Sequence, residues 1–251
     1  MFKYIISLTS YAERLPTLSL CLSSIFSQTV CADKVILFLS DTLSDQMLPS
    51  DLQALKKRGL HIEYIQDDIG PHSKYFYAMQ LFPKDIIITL DDDVIYNDNL
   101  IQLLISSYKK YPYAVSAGRV HKISFDENGS LNPYRQWIFE YPVTSVPRLD
   151  LFATGVGGVL YPPNCMSKET FHKEAIKKYC LWADDIWLKF MQLLKETPVV
   201  LANPGKQHPK SISQLQGNGL VTQNLHNHRN DIYINNMINL TRYNINKLKQ
   251  I

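Results

Sequence analysis

Ile86-Ile87-Ile88-Thr89-Leu90-Asp91-Asp92-Asp93 is an apolar, largely β-branched run that empties directly into three carboxylates. A run of this length and composition reads as a buried strand. Alternate side chains of a strand face opposite ways, so Asp91 and Asp93 are expected to point together and Asp92 away. Two carboxylates aimed at one spot beyond the carboxyl end of a buried strand could hold a divalent cation. Aspartate is equally an ordinary turn residue. At about 6 Å apart the pair would repel by roughly 3 kcal/mol at an effective dielectric of 20, and by under 1 kcal/mol in water. A sheltered pair therefore needs a cation, whereas an exposed turn tolerates the charges.

Upstream of this stretch the chain alternates regularly. Tyr4 to Thr9 reads as a first strand. Ser10-Tyr11-Ala12-Glu13-Arg14 makes a polar turn, and Pro16 is well placed in the first turn of a helix. Leu18, Cys21, Leu22, Ile25 and Phe26 recur at helical spacing. Val35 to Leu39 is a second buried strand, and a helix follows from Leu48 to Lys57 with Gly59 as its stop. Leu60 to Ile65 is a third strand ending in Gln66-Asp67-Asp68 and the breaker pair Gly70-Pro71, and a short helix runs from Ser73 to Leu81. This alternation predicts an α/β fold with a mostly parallel sheet and helices on its faces. Ligands of such sheets sit beyond the carboxyl ends of the strands. Those ends carry Thr9 with Arg14, Asp67 with Asp68, and Asp91 with Asp93.

Composition narrows the class. With 251 residues, 45% of them hydrophobic and 20% charged, the chain can bury a sizeable core. A net charge of +3 with scattered basic residues gives no reason to expect a nucleic-acid partner. Cys21, Cys31, Cys165 and Cys180 form neither a C-x-x-C pair nor a zinc spacing, and no N-terminal signal is evident. A reducing cytoplasm is the expected location, so the sequons at Asn128 and Asn239 are taken as accidental. No apolar run approaches the roughly 20 residues of a membrane span. Neither the G-x-G-x-x-G dinucleotide fingerprint nor a G-x-x-x-x-G-K-[ST] phosphate loop occurs.

Beyond Asp93 an apolar helix (Leu100, Ile101, Leu104, Ile105, Tyr108) closes the first half. The second half has strand-like pieces at Ala114 to Ile123 and Trp137 to Glu140 between Pro- and Asn-containing loops. Gly155-Val156-Gly157-Gly158 precedes a strand-like Val159-Leu160-Tyr161, and either admits a ligand close to backbone or makes a tight turn. Asp184-Asp185 begins a helix whose apolar face is Ile186, Trp187, Phe190, Met191 and Leu194. Two readings stand for these carboxylates: helix capping, or a general base held at a cleft edge. Trp137, Trp182 and Trp187 could stack on sugar rings, but Trp187 lies on the apolar face and reads as core. Residues 231–251 read as an amphipathic helix that packs on the domain, with docking to an anionic membrane surface as the lesser reading.

Four stretches in order, Ile6-Ser7-Leu8-Thr9-Ser10-Tyr11, Ile88 to Tyr96, Gly157 to Pro163 and Ala183 to Leu188, resemble a bacterial glycosyltransferase of GT-A fold, close to those of lipopolysaccharide, capsule and related surface-glycan assembly. The resemblance spans most of the chain. It implies a single GT-A-like domain, with residues 1–111 as the nucleotide-sugar-binding half. Residues 112–251 would be the acceptor and catalytic half, ending in a helical tail. Asp91 and Asp93 match the family's D-x-D, which holds Mn²⁺ or Mg²⁺ and contacts the donor. Asp184-Asp185 falls where inverting members carry Glu-Asp, so Asp185 is the expected base. Asp184, with Gly157 and Gly158, is expected on the acceptor side. Thr9, Tyr11, Arg14, Asp67 and Lys74 lie where such enzymes bind nucleotide. His226 or His228 could complete the metal shell, as C-terminal histidines do in some GT-A enzymes; two solvated histidines are the plainer reading. The implied partners are a nucleotide-sugar donor and a glycan or lipid-linked acceptor, the latter bringing the enzyme to the inner-membrane surface. Two rivals are a haloacid-dehalogenase-type phosphohydrolase, whose D-x-D normally lies near the chain start, and a non-catalytic glycan-binding module.

Overall fold

The computed structural model describes residues 2–142, 146–202, 208–212 and 228–250. The first half follows the apolar periodicity: β1 (Tyr4–Thr9), α1 (Leu15–Phe26), β2 (Lys34–Ser40), α2 (Ser50–Lys57), β3 (Leu60–Ile65), α3 (Ser73–Leu81) and β4 (Ile86–Thr89). A two-residue β5 (Val94–Ile95) and α4 (Leu100–Lys110) complete it. Strands β1, β2, β3 and β4 are mutually parallel, in the spatial order β3-β2-β1-β4.

Period two along these strands sorts the core into two layers. Ile6, Leu8, Val35, Leu37, Leu39, Ile86 and Ile88 face α1, α2 and α4. Ile5, Ile36, Phe38 and Ile87 face the other way, onto Ala78 of α3. Helices thus cover both faces, which is why the central strands are apolar throughout.

The second half extends the same sheet. β6 (Val115–Ala117), β9 (Val159–Tyr161) and β10 (Val199–Leu201) complete seven strands in the order β10-β6-β9-β4-β1-β2-β3. β9 runs antiparallel to both β4 and β6, while β10 is parallel to β6. β7 (Val120–Lys122) lies outside this sheet and pairs antiparallel with β8 (Leu151–Ala153). The strand expected at Trp137 to Glu140 is reduced to one bridge, Lys122 to Ile138. A one-turn helix at Tyr134–Gln136 enters it, and Glu140 leaves it in the left-handed region at φ 49°.

On the far side, α5 (Lys173–Tyr179) and α6 (Asp184–Leu194) cover the extension, and β11 (Lys210–Ser211) pairs antiparallel with β5. α7 (Arg229–Thr241) buries Ile234 and Met237 and packs against α6 and α5. It stops at Arg242, whose left-handed φ of 53° breaks the single helix expected to run to the chain end. Ile232 and Leu240 stay exposed. No helix among the described residues is long and apolar enough to cross a membrane. Trp137 and Trp187 are buried, their indole N–H groups donating to the Asn132 and Thr170 carbonyls, and Trp182 is exposed.

Candidate active site

β4 ends at Thr89, so the strand alternation stops before the carboxylates and a turn carries Asp91, Asp92 and Asp93. The turn is tied down from three sides. The Asp91 N–H donates to the Tyr96 hydroxyl at 2.7 Å, and the Asp91 carbonyl accepts from the Cys21 thiol of α1 at 3.2 Å. Asp92 is buried rather than solvent-facing: it accepts from the Ser10 hydroxyl at 2.5 Å and pairs with Arg14. Asp91 and Asp93 keep open edges, with side chains 26% and 33% exposed. Asp92 anchors the turn to the loop after β1 through Ser10 and Arg14, and Arg14 also reaches Asp93, while Asp91 turns to Lys74.

Two basic residues compensate this charge. Arg14 pairs with Asp92 and, at 3.1 Å, with Asp93. Burial works against its charge, but Asp92 and Asp93 outweigh that and raise its pKa. Lys74, at the start of α3, is held through its backbone carbonyl by the Ser7 hydroxyl at 2.5 Å. Its ammonium lies 2.7 Å from Asp91 Oδ1 and 2.8 Å from Asp184 Oδ2. Burial opposes its charge too, and Asp184, then Asp91 and Asp185, more than offset this, so its pKa rises. Lys74 therefore joins the two acidic segments across the sheet.

Capping does not account for Asp184-Asp185. Ala183 occupies the N-cap of α6 and no side chain caps it. Asp184 turns to Lys74, and both Asp185 oxygens accept from the Gly155 N–H, at 3.0 and 3.1 Å. Burial and then the Asp184 charge push the Asp185 carboxyl up to about 8, against Lys74. Asp92 is raised to about 6, by burial first, opposed by Arg14 and Ser10. Asp93 is also raised, by burial and then by Asp91. The cleft thus holds more negative charge than its two cations neutralise. Asp91 and Asp93 offer hard oxygen donors at its open edge, which suits a divalent cation that takes one or two protein carboxylates and completes its shell from a diphosphate and water. Among the described residues no three His, Cys, Asp or Glu side chains form a closed metal cage.

The remaining expected residues are distributed as follows. Tyr11 is exposed beside the cleft, with Arg14 over its ring and donating to its hydroxyl. The Thr9 hydroxyl is committed to the Phe38 carbonyl at 3.1 Å. Asp67 is clamped by Lys173 at 3.0 Å and Lys177 at 2.9 Å. A Cβ at Gly157 would meet the Arg119 backbone N at 2.5 Å, and Gly158, at φ 78°, packs on Leu90 and Leu100, so the absent side chains of both allow close packing. His228 is exposed, leads into α7 and lies 3.7 Å from Asp231. His226 lies outside the described residues.

Gly155, Tyr96, Ser10 and Cys21 were not singled out as site residues. Gly155 belongs to the glycine run noted in the sequence, but nothing local distinguishes it from Gly157 or Gly158.

The order of this sheet, with an acidic turn after its fourth strand and a carboxylate-bearing helix facing it, defines a GT-A-type α/β fold. Residues 6–174 match the family described as glycosyl transferase family 2, and the chain belongs to that family. The likeness extends to a solved mannosyltransferase from Pyrobaculum calidifontis in complex with GDP-Man and Mn²⁺. The TM-score is 0.58 at 11% identity, over 96% of this chain and 64% of that one. The chain thus spans less than two thirds of that enzyme's length. A CMP:2-keto-3-deoxy-manno-octonic acid synthetase complexed with CTP aligns with a TM-score of 0.45 and 12% identity, over 79% of this chain and 88% of its own. No curated protein matches the sequence. Family membership sets the phosphohydrolase alternative aside.

Proposed function

We propose that the chain transfers a sugar from a nucleotide-diphosphate sugar to a hydroxyl of a saccharide or lipid-linked saccharide, with inversion, in assembly of a bacterial surface polysaccharide or lipopolysaccharide. Residues 1–111 would hold the donor and residues 112–251 the acceptor, at the cytoplasmic face of a membrane. The observation that carries this reading is the meeting of Asp91 and Asp185 over Gly155, each with an oxygen 3.1 Å from the point where a Cβ would stand there. A donor-side carboxylate and a candidate base thus border one small space.

In this reading Tyr11 lies against the nucleotide and Asp91 faces the donor. Asp91 and Asp93 would hold Mn²⁺ or Mg²⁺, which would supply positive charge to the leaving diphosphate. Asp185 takes the proton of the acceptor hydroxyl while its oxygen forms the new bond to the anomeric carbon. The bond from that carbon to the phosphate oxygen breaks on the opposite side, and its electron pair leaves with the nucleoside diphosphate. The anomeric centre inverts without a covalent enzyme intermediate, and the proton rests on Asp185.

Nucleotide binding gives the first test. UDP or GDP at 100 times its dissociation constant should stabilise the fold by about 2.7 kcal/mol, and only with Mn²⁺ or Mg²⁺ present. A melting temperature unmoved by either nucleotide with either metal would end the proposal. Asp185→Asn should keep that stabilisation and lose transfer. GDP-mannose, the donor held by the similar mannosyltransferase, heads a screen for metal-dependent donor hydrolysis.

A further inference from the structure

Gly155 opens a one-turn helix, Gly155–Gly157, at the end of the short segment after β8. Its backbone avoids the left-handed region; among the described residues the glycines that enter it are Gly59, Gly70, Gly129 and Gly158. Any residue could adopt the backbone conformation at 155, so conformational freedom does not explain the glycine there. Space does. A Cβ at this position would stand 3.1 Å from Asp185 Oδ1, 3.1 Å from Asp91 Oδ1 and 3.3 Å from Asp91 Oδ2. The two Oδ1 atoms, equally distant from one point, lie within twice that distance of each other. Neither carboxylate can step aside freely. Asp91 Oδ1 is held by Lys74 at 2.7 Å, and both Asp185 oxygens are held by the Gly155 N–H itself.

We infer that Gly155 is a positioning residue for the transfer step: its N–H orients Asp185, and its missing side chain lets the Asp91 and Asp185 carboxylates close over it. The inference rests on the glycosyltransferase reading and deepens it. A methyl group there pushes both carboxylates by a few tenths of an ångström. Gly157 and Gly158 differ in kind, because a side chain at either meets backbone or packed leucines and strains the fold itself.

The test compares wild type, Gly155→Ala, Asp185→Asn and the double variant in donor hydrolysis, with water as acceptor, and in melting with GDP or UDP plus Mn²⁺. Gly155→Ala should fold, melting somewhat below wild type because its methyl crowds two held carboxylates, and should still gain stability from nucleotide and metal. Its kcat should fall by about tenfold to a hundredfold, the scale of a reacting group displaced by up to an ångström, and by more than its KM for donor rises. In the Asp185→Asn background the same alanine should cost little further kcat, because Gly155 acts through that carboxylate. Wild-type kcat in Gly155→Ala, or the full loss repeated in the Asp185→Asn background, overturns the inference and leaves the functional reading standing. A wild-type protein that neither binds nucleotide nor hydrolyses any nucleotide sugar defeats the functional reading, and the inference with it.

Discussion

Lys74→Met removes the one ammonium shared by the two acidic segments. The lysine side chain is 6% exposed and its charge sits 2.7 Å from Asp91 and 2.8 Å from Asp184, whose own side chain is 11% exposed. Methionine preserves most of the length and the apolar stem, so the lost quantity is the charge. Removing one partner of a buried ion pair costs about 3–5 kcal/mol, because the other partner stays buried and uncompensated. Asp91 keeps some solvent, which favours the lower end of that range. With a urea m value of about 3 kcal/mol per molar, the unfolding midpoint should fall by about 1 M. Urea unfolding of both proteins at pH 7 reads this directly. An unchanged midpoint would refute the view that Lys74 compensates the cleft.

Other expectations can be read with the same method. Asp92→Ala should destabilise by about 3 kcal/mol, since Arg14 loses a buried partner and the Ser10 hydroxyl its acceptor, while Asp92→Asn, which keeps an acceptor oxygen, should cost less. Wild-type stability in Asp92→Ala would show that this residue does not anchor the turn. His72 is fully buried, its Nε2 against the Cys180 carbonyl at 2.9 Å and its Nδ1 against the Tyr75 hydroxyl at 2.8 Å, and burial lowers its pKa to about 4. The unfolded chain takes up that proton between pH 6.5 and about 4 and the folded chain does not. The histidine's contribution is therefore full above pH 6.5 and is lost as pH falls through this window, by about 3 kcal/mol. Asp92 and Asp185, raised in the fold, pull the total stability the other way. The readable quantity is thus the difference between wild type and His72→Gln, which should narrow from pH 7 to pH 4.5; a constant difference would remove the buried neutral imidazole from the account.

Much of the first half was open to inspection in one dimension. β1, β2, β3 and β4 are short β-branched or leucine-rich runs, and α1 and α3 carry helical spacing, so local periodicity sufficed. The second half resisted because its strands are three residues long and their partners are non-local. β6 reads in the sequence only as part of a strand-like stretch from Ala114 to Ile123, yet it pairs with β9 and β10 and extends the main sheet. Nothing in Val159-Leu160-Tyr161 states that it will lie between β4 and β6. The break after Thr241 likewise depends on how α7 meets α5 and α6, not on its own composition.

The carboxylates of the site divide along the same line. Sequence alone determined that two acidic pairs, Asp91 with Asp93 and Asp184 with Asp185, sit at the ends of apolar elements where a sheet of this type presents ligands. That follows from spacing along the chain. Only the tertiary structure decided that Asp92 is a buried anchor for Arg14, that Lys74 bridges Asp91 and Asp184, and that Gly155 rather than Gly157 or Gly158 borders the cleft. Each depends on segments far apart in sequence being brought within a few ångströms by the order of the strands, and on which glycine lacks room for a Cβ because carboxylates, rather than backbone, stand in its way.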